Sequence, residues 1–554
     1  MPWDAVRVRA EERLALPGLM QDDFQLTLQH VLGRMRTFPD AGSVATLSGG
    51  ELARASFGDC VERIDRLARA LETLGIGRGD RVATFAFNTQ RHFECYFAIP
   101  CTGAVLHTVN PRLFLEQIVY VINHAADRVV IVDDLLVHLL EPIAHRLETV
   151  EHFVVMGDGE AAGLPNALRY EELLSAADPG PPEYPALDER EASALCYTSG
   201  TTGNPKGVLY SHRASTLHAA GVLMTGSLGI GPSDRVLIVV PMFHVNAWGL
   251  PYAAALAGCE LVMPGRHLDA ESLAGLIERE RCTVMACVPT IYADLLRHAD
   301  RSREDLSSLH TAICGGAAMP LALARALEER HGVHMVQAWG MTETSPMCTV
   351  ARVDPQREGE RTSKLRATQG RPVPFVELRV IDATGPVAWD GEATGEIEVR
   401  GPWIASAYYR EDDDQKFHDG WLRTGDIARV EPGGWVQITD RVKDVIKSGG
   451  EWISSVELEN ELMAHPAVRE AAVIAVPDPR WTERPLACVV LDDDQRVSAE
   501  ALREFLCGRV ANFWLPDEFA FIDEIPKTSV GKFDKKALRA QLANGQLTER
   551  VRAR

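Results

Sequence analysis

The chain has 554 residues, 46% of them hydrophobic and 24% charged, with 57 basic against 78 acidic side chains and a formal net charge of −21. That length is too great for one compact core and predicts two or more domains. The acidic balance argues against nucleic acid as a partner and against a basic membrane-binding face, so an anionic ligand would need a local positive cluster, for which Lys206, Arg441, Lys447 and Lys532 are the candidates.

The N-terminus carries Asp4, Arg7, Arg9, Glu11, Glu12 and Arg13 without an apolar run, which fits neither a secretory signal nor a spanning helix. From about Phe57 to Leu74 an amphipathic helix is predicted, with Val61, Ile64, Leu67, Ala68 and Leu71 on one face. Glycines at 75, 77 and 79 then break it and lead into a strand at Arg81–Phe85. An apolar run at Ala104–Val109, a helix near Leu115–Ile122, a strand at Arg128–Val132 and a helix from Leu135 repeat the unit. This is α/β wiring, in which parallel-rich sheets are covered by helices.

Next comes Tyr197-Thr-Ser-Gly-Thr-Thr-Gly-Asn-Pro-Lys-Gly207, between strand-like Ala194–Tyr197 and Val208–Tyr210, with a helix from about Ser211. Glycines let a backbone approach a ligand closely, hydroxyls supply donors and Lys206 supplies a point charge: the chemistry of a polyphosphate cradle, although the spacing is not that of a Walker A loop. A mobile surface loop is the alternative. The apolar region Val236–Pro264, interrupted by Pro241, His244, Asn246 and Pro251, reads as buried core. Within a second α/β set, strands are expected at Asp234–Val240, Thr283–Val288 and His310–Cys314.

From about Thr368 the texture changes to short alternating strands at Glu377–Ile381, Gly395–Arg400 and Gly434–Thr439, predicting a small antiparallel, barrel-like layer. A compact α/β segment follows, with a helix at Ser454–Met463 and strands at Val468–Val476 and Leu486–Leu491. The eleven cysteines form no CxxC pair, and Cys282 and Cys287 lack partners for a metal; reduced thiols in a cytoplasmic protein are expected.

The phosphate-type loop resembles that of the acyl-adenylate-forming superfamily. The resemblance recurs in the family's order at Gln337–Ser345, Gly420–Ile427, Asp440–Asp444 through Ser448–Gly450, and Pro526–Lys532, so it spans nearly the whole chain. It implies a large N-terminal domain (residues 1–439), a hinge at Asp440–Arg441 and a small mobile C-terminal domain (residues 442–554). It also implies an AMP-forming ligase that uses ATP, Mg²⁺ and CoA to activate a medium- or long-chain fatty acid. The same chemistry on another hydrophobic or sulfur-containing acid, or with a carrier protein, stays open, as does a non-catalytic nucleotide-binding protein. A long-chain synthetase type that dimerises through its N-terminal region suggests a homodimer.

Residue by residue, the resemblance assigns Thr198, Ser199, Gly200, Thr201, Thr202, Gly203 and Lys206 to the phosphates. Thr198 and Glu343 would hold Mg²⁺, and Gly315, Gly316 and Ala317 would line the adenine. Gln337, Trp339, Gly340, Thr342 and Ile438 complete the nucleotide site, where Trp339 stands in place of the usual tyrosine and so keeps the stacking face but loses the phenol. Asp426 would accept the ribose hydroxyls and Arg441 would reach ribose or phosphate. Lys532 resembles the mobile catalytic lysine, although Lys535, Lys536 and Arg539 also permit a solvated basic helix start. Lys447, Gly449 and Gly450 would face the CoA tunnel. His244 would sit beside the acyl carboxylate, and Trp248 resembles a gate to the acyl tunnel, with a purely packed core tryptophan as its rival.

Overall fold

The computed structural model describes residues 20–553 except 22, 160–162, 199–203, 303, 354–363, 449–450, 493–494, 529–531 and 548–549. The charged N-terminal stretch and the heart of the phosphate-type loop, Ser199–Gly203, therefore lie outside the described residues, as do Gly449 and Gly450. Two helix-covered sheets dominate. In the first, seven strands run in the order Ala167–Arg169, His152–Met156, Asp127–Asp133, Arg81–Phe85, Val105–Thr108, Ala192–Tyr197, Gly207–Ser211. All neighbours are parallel except the last pair, the hairpin that carries the loop at Thr198–Lys206.

The second sheet has nine strands, and its parallel heart runs through His334–Gly340, Thr311–Cys314, Val284–Cys287, Arg235–Ile238 and Glu260–Met263. The helix Phe57–Thr73 buries Cys60, Val61, Ile64, Leu67, Ala68 and Leu71, is capped by Ser56 with Asp59 reaching back, and gives way to Gly75 at φ 74°. The helix expected from Leu135 is broken into a 3₁₀ turn, the short helix Val137–Leu140 and a second 3₁₀ stretch, because Pro142 offers no N–H to continue it.

The third layer is antiparallel, built on Glu377–Asp382, Thr394–Arg400, Trp421–Glu431 and Trp435–Arg441. The C-terminal segment has its own core, with Ile446, Leu458, Leu462, Val473, Val489 and Phe519 packed together. Its helix Ser455–Met463 docks on the end of the preceding layer: Asp440 Oδ2 accepts from Ser455 N and Oγ, each at 2.7 Å. Lys535 Nζ completes the joint, 2.7 Å from Glu459 and 2.6 Å from Ser455 Oγ. Asp440 and Arg441 themselves continue the strand ladder opposite Ile427 and Asp426.

Candidate active site

The hairpin closes the phosphate-type loop at its base. Thr198 N donates to the Lys206 carbonyl at 2.9 Å, and Lys206 N donates to Thr198 Oγ1 at 3.2 Å. Lys206 then projects to Asp413, with Nζ 2.9 Å from the carboxylate, and lies 4.6 Å from the centre of the Tyr408 ring. The Asp413 hydrogen bond holds its ammonium above the ordinary lysine range. Tyr408 in turn donates to Glu343 Oε1 at 2.6 Å, so Tyr408 links Lys206 to the proposed metal carboxylate. Glu343 is buried on the 3₁₀ turn Thr342–Thr344, and its carbonyl accepts from Ala405 N at 2.7 Å. The sequence reading passed over Tyr408 and Asp413. The aromatic pair at 408–409 beside an acidic run was the available signal, but only folding brings it to the loop.

The strand His334–Gly340 delivers the next group. Gln337 is buried and its Oε1 accepts from Met319 N at 3.2 Å, so it fastens the loop after Cys314 instead of facing open space. Trp339 makes a polar contact: Nε1 donates to Asp426 Oδ2 at 3.0 Å, while Arg441 Nε stands 3.0 Å from Oδ1. The indole therefore supplies a polar contact of its own in place of the missing phenol. Gly340 is dictated by packing, since a Cβ there would lie 1.5 Å from the Pro346 carbonyl oxygen. Thr342 offers its carbonyl to Tyr210 at 2.6 Å, and Ile438 N donates to Gln369 at 2.6 Å.

Gly315, Gly316 and Ala317 follow the strand Thr311–Cys314, with Gly316 and Ala317 exposed. Lys532 reaches this loop from the C-terminal segment: a Cβ on Gly316 would be 3.3 Å from its Cε. Burial pushes its ammonium down to about 8, with Arg441 adding repulsion and Asp426 and Glu343 opposing. A solvated basic helix start does not describe this lysine. Lys447 is exposed on the strand Ile446–Ser448, with its N–H donating to Glu483 at 2.8 Å, and is not brought to this group.

On the other side of the Gly315 loop stands a backbone feature with no sequence counterpart. Val245, Asn246, Ala247 and Trp248 have φ of 47°, 48°, 47° and 57°, continuing into Gly249 at 70°: a left-handed turn of four non-glycine residues. Such backbone costs about 1–2 kcal/mol per residue. Asn246 anchors it, its Oδ1 accepting from Cys196 Sγ at 3.2 Å and Thr108 Oγ1 at 3.4 Å. The turn presents half-buried Trp248 to the loop, with its ring 3.0 Å from where a Gly315 Cβ would be. His244 precedes the turn, and its ring is pushed down to about 3 by burial, Lys532 and Arg112, so it is neutral at physiological pH.

The donor set suits a hard divalent cation in association with phosphates: a buried carboxylate at Glu343 and a hydroxyl at Thr198, without sulfur or imidazole. Among the described residues no three His, Cys, Asp or Glu side chains converge on a metal position, and no helix is long and apolar enough to cross a membrane.

Comparison with known proteins covers most of the chain. The family model described as AMP-binding enzyme matches residues 34–409, and that of the AMP-binding enzyme C-terminal domain matches residues 457–532. The chain is 45% identical to the long-chain-fatty-acid–CoA ligase of Thermus thermophilus over 546 residues, covering 97% of this chain and 99% of that protein. It is 44% identical to the 3-methylmercaptopropionyl-CoA ligase of Ruegeria lacuscaerulensis over 504 residues, 90% of this chain and 93% of that one. Among solved structures, the anthranilate CoA ligase AuaEII in complex with anthranoyl-AMP superposes with a TM-score of 0.85 at 28% identity, covering 95% of this chain and 100% of that one. The chain belongs to the AMP-binding enzyme family.

Proposed function

We propose that the protein is an AMP-forming ligase acting on a medium- or long-chain fatty acid in two half-reactions. In the first, a carboxylate oxygen attacks the α-phosphorus of ATP and pyrophosphate leaves. In the second, the CoA sulfur attacks the acyl carbon and AMP leaves. The observation that carries this reading is the convergence of Lys532, Asp426, Arg441 and Glu343, drawn from both parts of the chain, onto one region. Cationic groups held there neutralise charge that develops at the α-phosphate, while Asp426 fixes the ribose and the Gly315 loop receives the base. Lys206, released from Asp413, would take the distal phosphates, with Ser199–Gly203 as the cradle.

Glu343 and Thr198 would hold Mg²⁺, which supplies charge neutralisation across the phosphates. Neutral His244 would lie beside the acyl carboxylate without adding charge, and Trp248 would gate the acyl channel. Residues 1–439 and 442–554 would act as two bodies hinged at Asp440, so that Lys532 leaves after adenylation and the segment with Lys447, Gly449 and Gly450 replaces it. The protein would work in the cytoplasm as a homodimer, which light scattering would check as a mass twice 60.9 kDa.

The deciding experiment is pyrophosphate release from ATP and Mg²⁺ across acids from short- to long-chain, with 3-methylmercaptopropionate included, followed by thioester formation with CoA and with a phosphopantetheinyl carrier. Release with fatty acids and transfer to CoA is expected. Preference for the sulfur acid favours the second reading, which the relative at 44% identity motivates. Nucleotide binding without release for any acid overturns both.

A further inference from the structure

Behind the loop hairpin lies a second arrangement of catalytic type. His107 on the strand Val105–Thr108 and Asp127 at the start of Asp127–Asp133 are both fully buried, with His107 Nδ1 2.7 Å from Asp127 Oδ2. Nδ1 faces an acceptor, so it carries the proton and Nε2 keeps its lone pair. Nε2 is buried and has no hydrogen-bond partner among the described residues. Buried polar atoms are nearly always satisfied, so an unpartnered one needs an explanation.

The ring lines a small cavity of about 10 Å³, shared with Thr108, Asn110, Tyr197 and His244. That is room for about one water. The cavity thus connects the dyad with the side of the site where His244 stands. Around the dyad, the Tyr197 ring lies 5.1 Å from that of His107 and its hydroxyl contacts His124 Nδ1 at 2.7 Å. Arg81, anchored on the Ala125 and Ala126 carbonyls, sits near Asp127. Burial pushes the Asp127 carboxyl up, while His107 and then Arg81 oppose it.

We propose that His107, oriented by Asp127, accepts the thiol proton in the second half-reaction through one water in this cavity, an inference that rests on the ligase reading above. The thiolate is the effective nucleophile, and a thiol is mostly protonated at neutral pH. As the S–H bond breaks, its proton passes to the water and a water proton passes to Nε2. The sulfur lone pair forms the S–C bond, and the C–O bond to phosphate breaks with its electron pair leaving on AMP. Asp127 stabilises the resulting imidazolium, and the proton is later lost to solvent. No additional reactant is required.

The test separates the half-reactions in full-length His107→Ala and Asp127→Asn. Thioester formation from supplied acyl-AMP and CoA in single turnover should fall about 10²-fold or more in His107→Ala and less in Asp127→Asn. Pyrophosphate release with the same acid should persist, which also reports that the variants fold. Added imidazole, or alkaline buffer in which the thiol ionises unaided, should restore part of the lost rate. Unchanged thioester formation in His107→Ala while pyrophosphate release persists, or a loss that neither treatment restores, overturns the proposal. On the unaltered protein, single-turnover thioester formation should show a solvent deuterium effect with two protons in flight; its absence overturns the proposal even if the variants do not fold. Failure to release pyrophosphate with any acid would sink the ligase reading instead, through a different measurement.

Discussion

The two sides of the Gly315 loop are built differently. On the proposed nucleotide side, Trp339, Asp426 and Arg441 stand on strands and Glu343 on a 3₁₀ turn, and their side chains meet through charge and hydrogen bonds. On the proposed acyl side the backbone itself is unusual: four non-glycine residues are left-handed, and Trp248 meets the loop. Charge recognition tolerates a relaxed scaffold because side chains on regular elements can bring donors and acceptors together. In the left-handed turn the backbone itself carries strain, which is held by neighbours such as Asn246.

Breaking the nucleotide side at its most exposed dependence should have the largest effect. Lys532→Ala is expected to lower adenylation by about 10²–10³-fold, the scale for removing a group aimed at developing charge. Thioester formation from supplied acyl-AMP should be spared, and loss of both to the same degree would contradict the assigned role. The same lysine sets a pH limit. Its pKa is depressed to about 8, so the charged form is complete below that pH and is lost as pH rises through it. Adenylation rates should fall about tenfold per pH unit above 8, while transfer from acyl-AMP should not follow that curve.

Smaller effects sharpen the contrast. Trp339→Phe keeps a stacking face but removes the N–H held by Asp426, so the KM for ATP should rise roughly three- to tenfold, in line with one hydrogen bond of about 1 kcal/mol. An unchanged KM would show that the indole contact is replaced by ribose without consequence. On the acyl side, Ala247→Gly should relieve left-handed strain and raise stability by up to about 1 kcal/mol in thermal or denaturant melts. Destabilisation instead would mean that the turn is not the strained element its φ values indicate.

Much of the nucleotide side is legible in the chain because its parts are local. The hairpin around Lys206, the strand leading to Trp339 and the capped helix after Ser454 each carry their own turn, period or cap. Tyr408 and Asp413 were not legible, since their role exists only once the segment after Arg400 crosses the loop more than 200 positions earlier. Gln337 shows the reverse, a motif residue whose observed work is to fasten a neighbouring loop.

The sequence by itself determined the α/β layering, the antiparallel layer, the loop chemistry and the set of charged residues, because periodicity, glycine placement and residue type act over a few positions. Tertiary structure alone decided that Trp339 would donate to Asp426, that half-buried Lys532 would lie against Gly316, that His107 would meet Asp127 and that residues 245–248 would turn left-handed. Those outcomes depend on burial and on contacts between distant strands, which change the energy of a side chain or a backbone angle only after the sheets have closed around it.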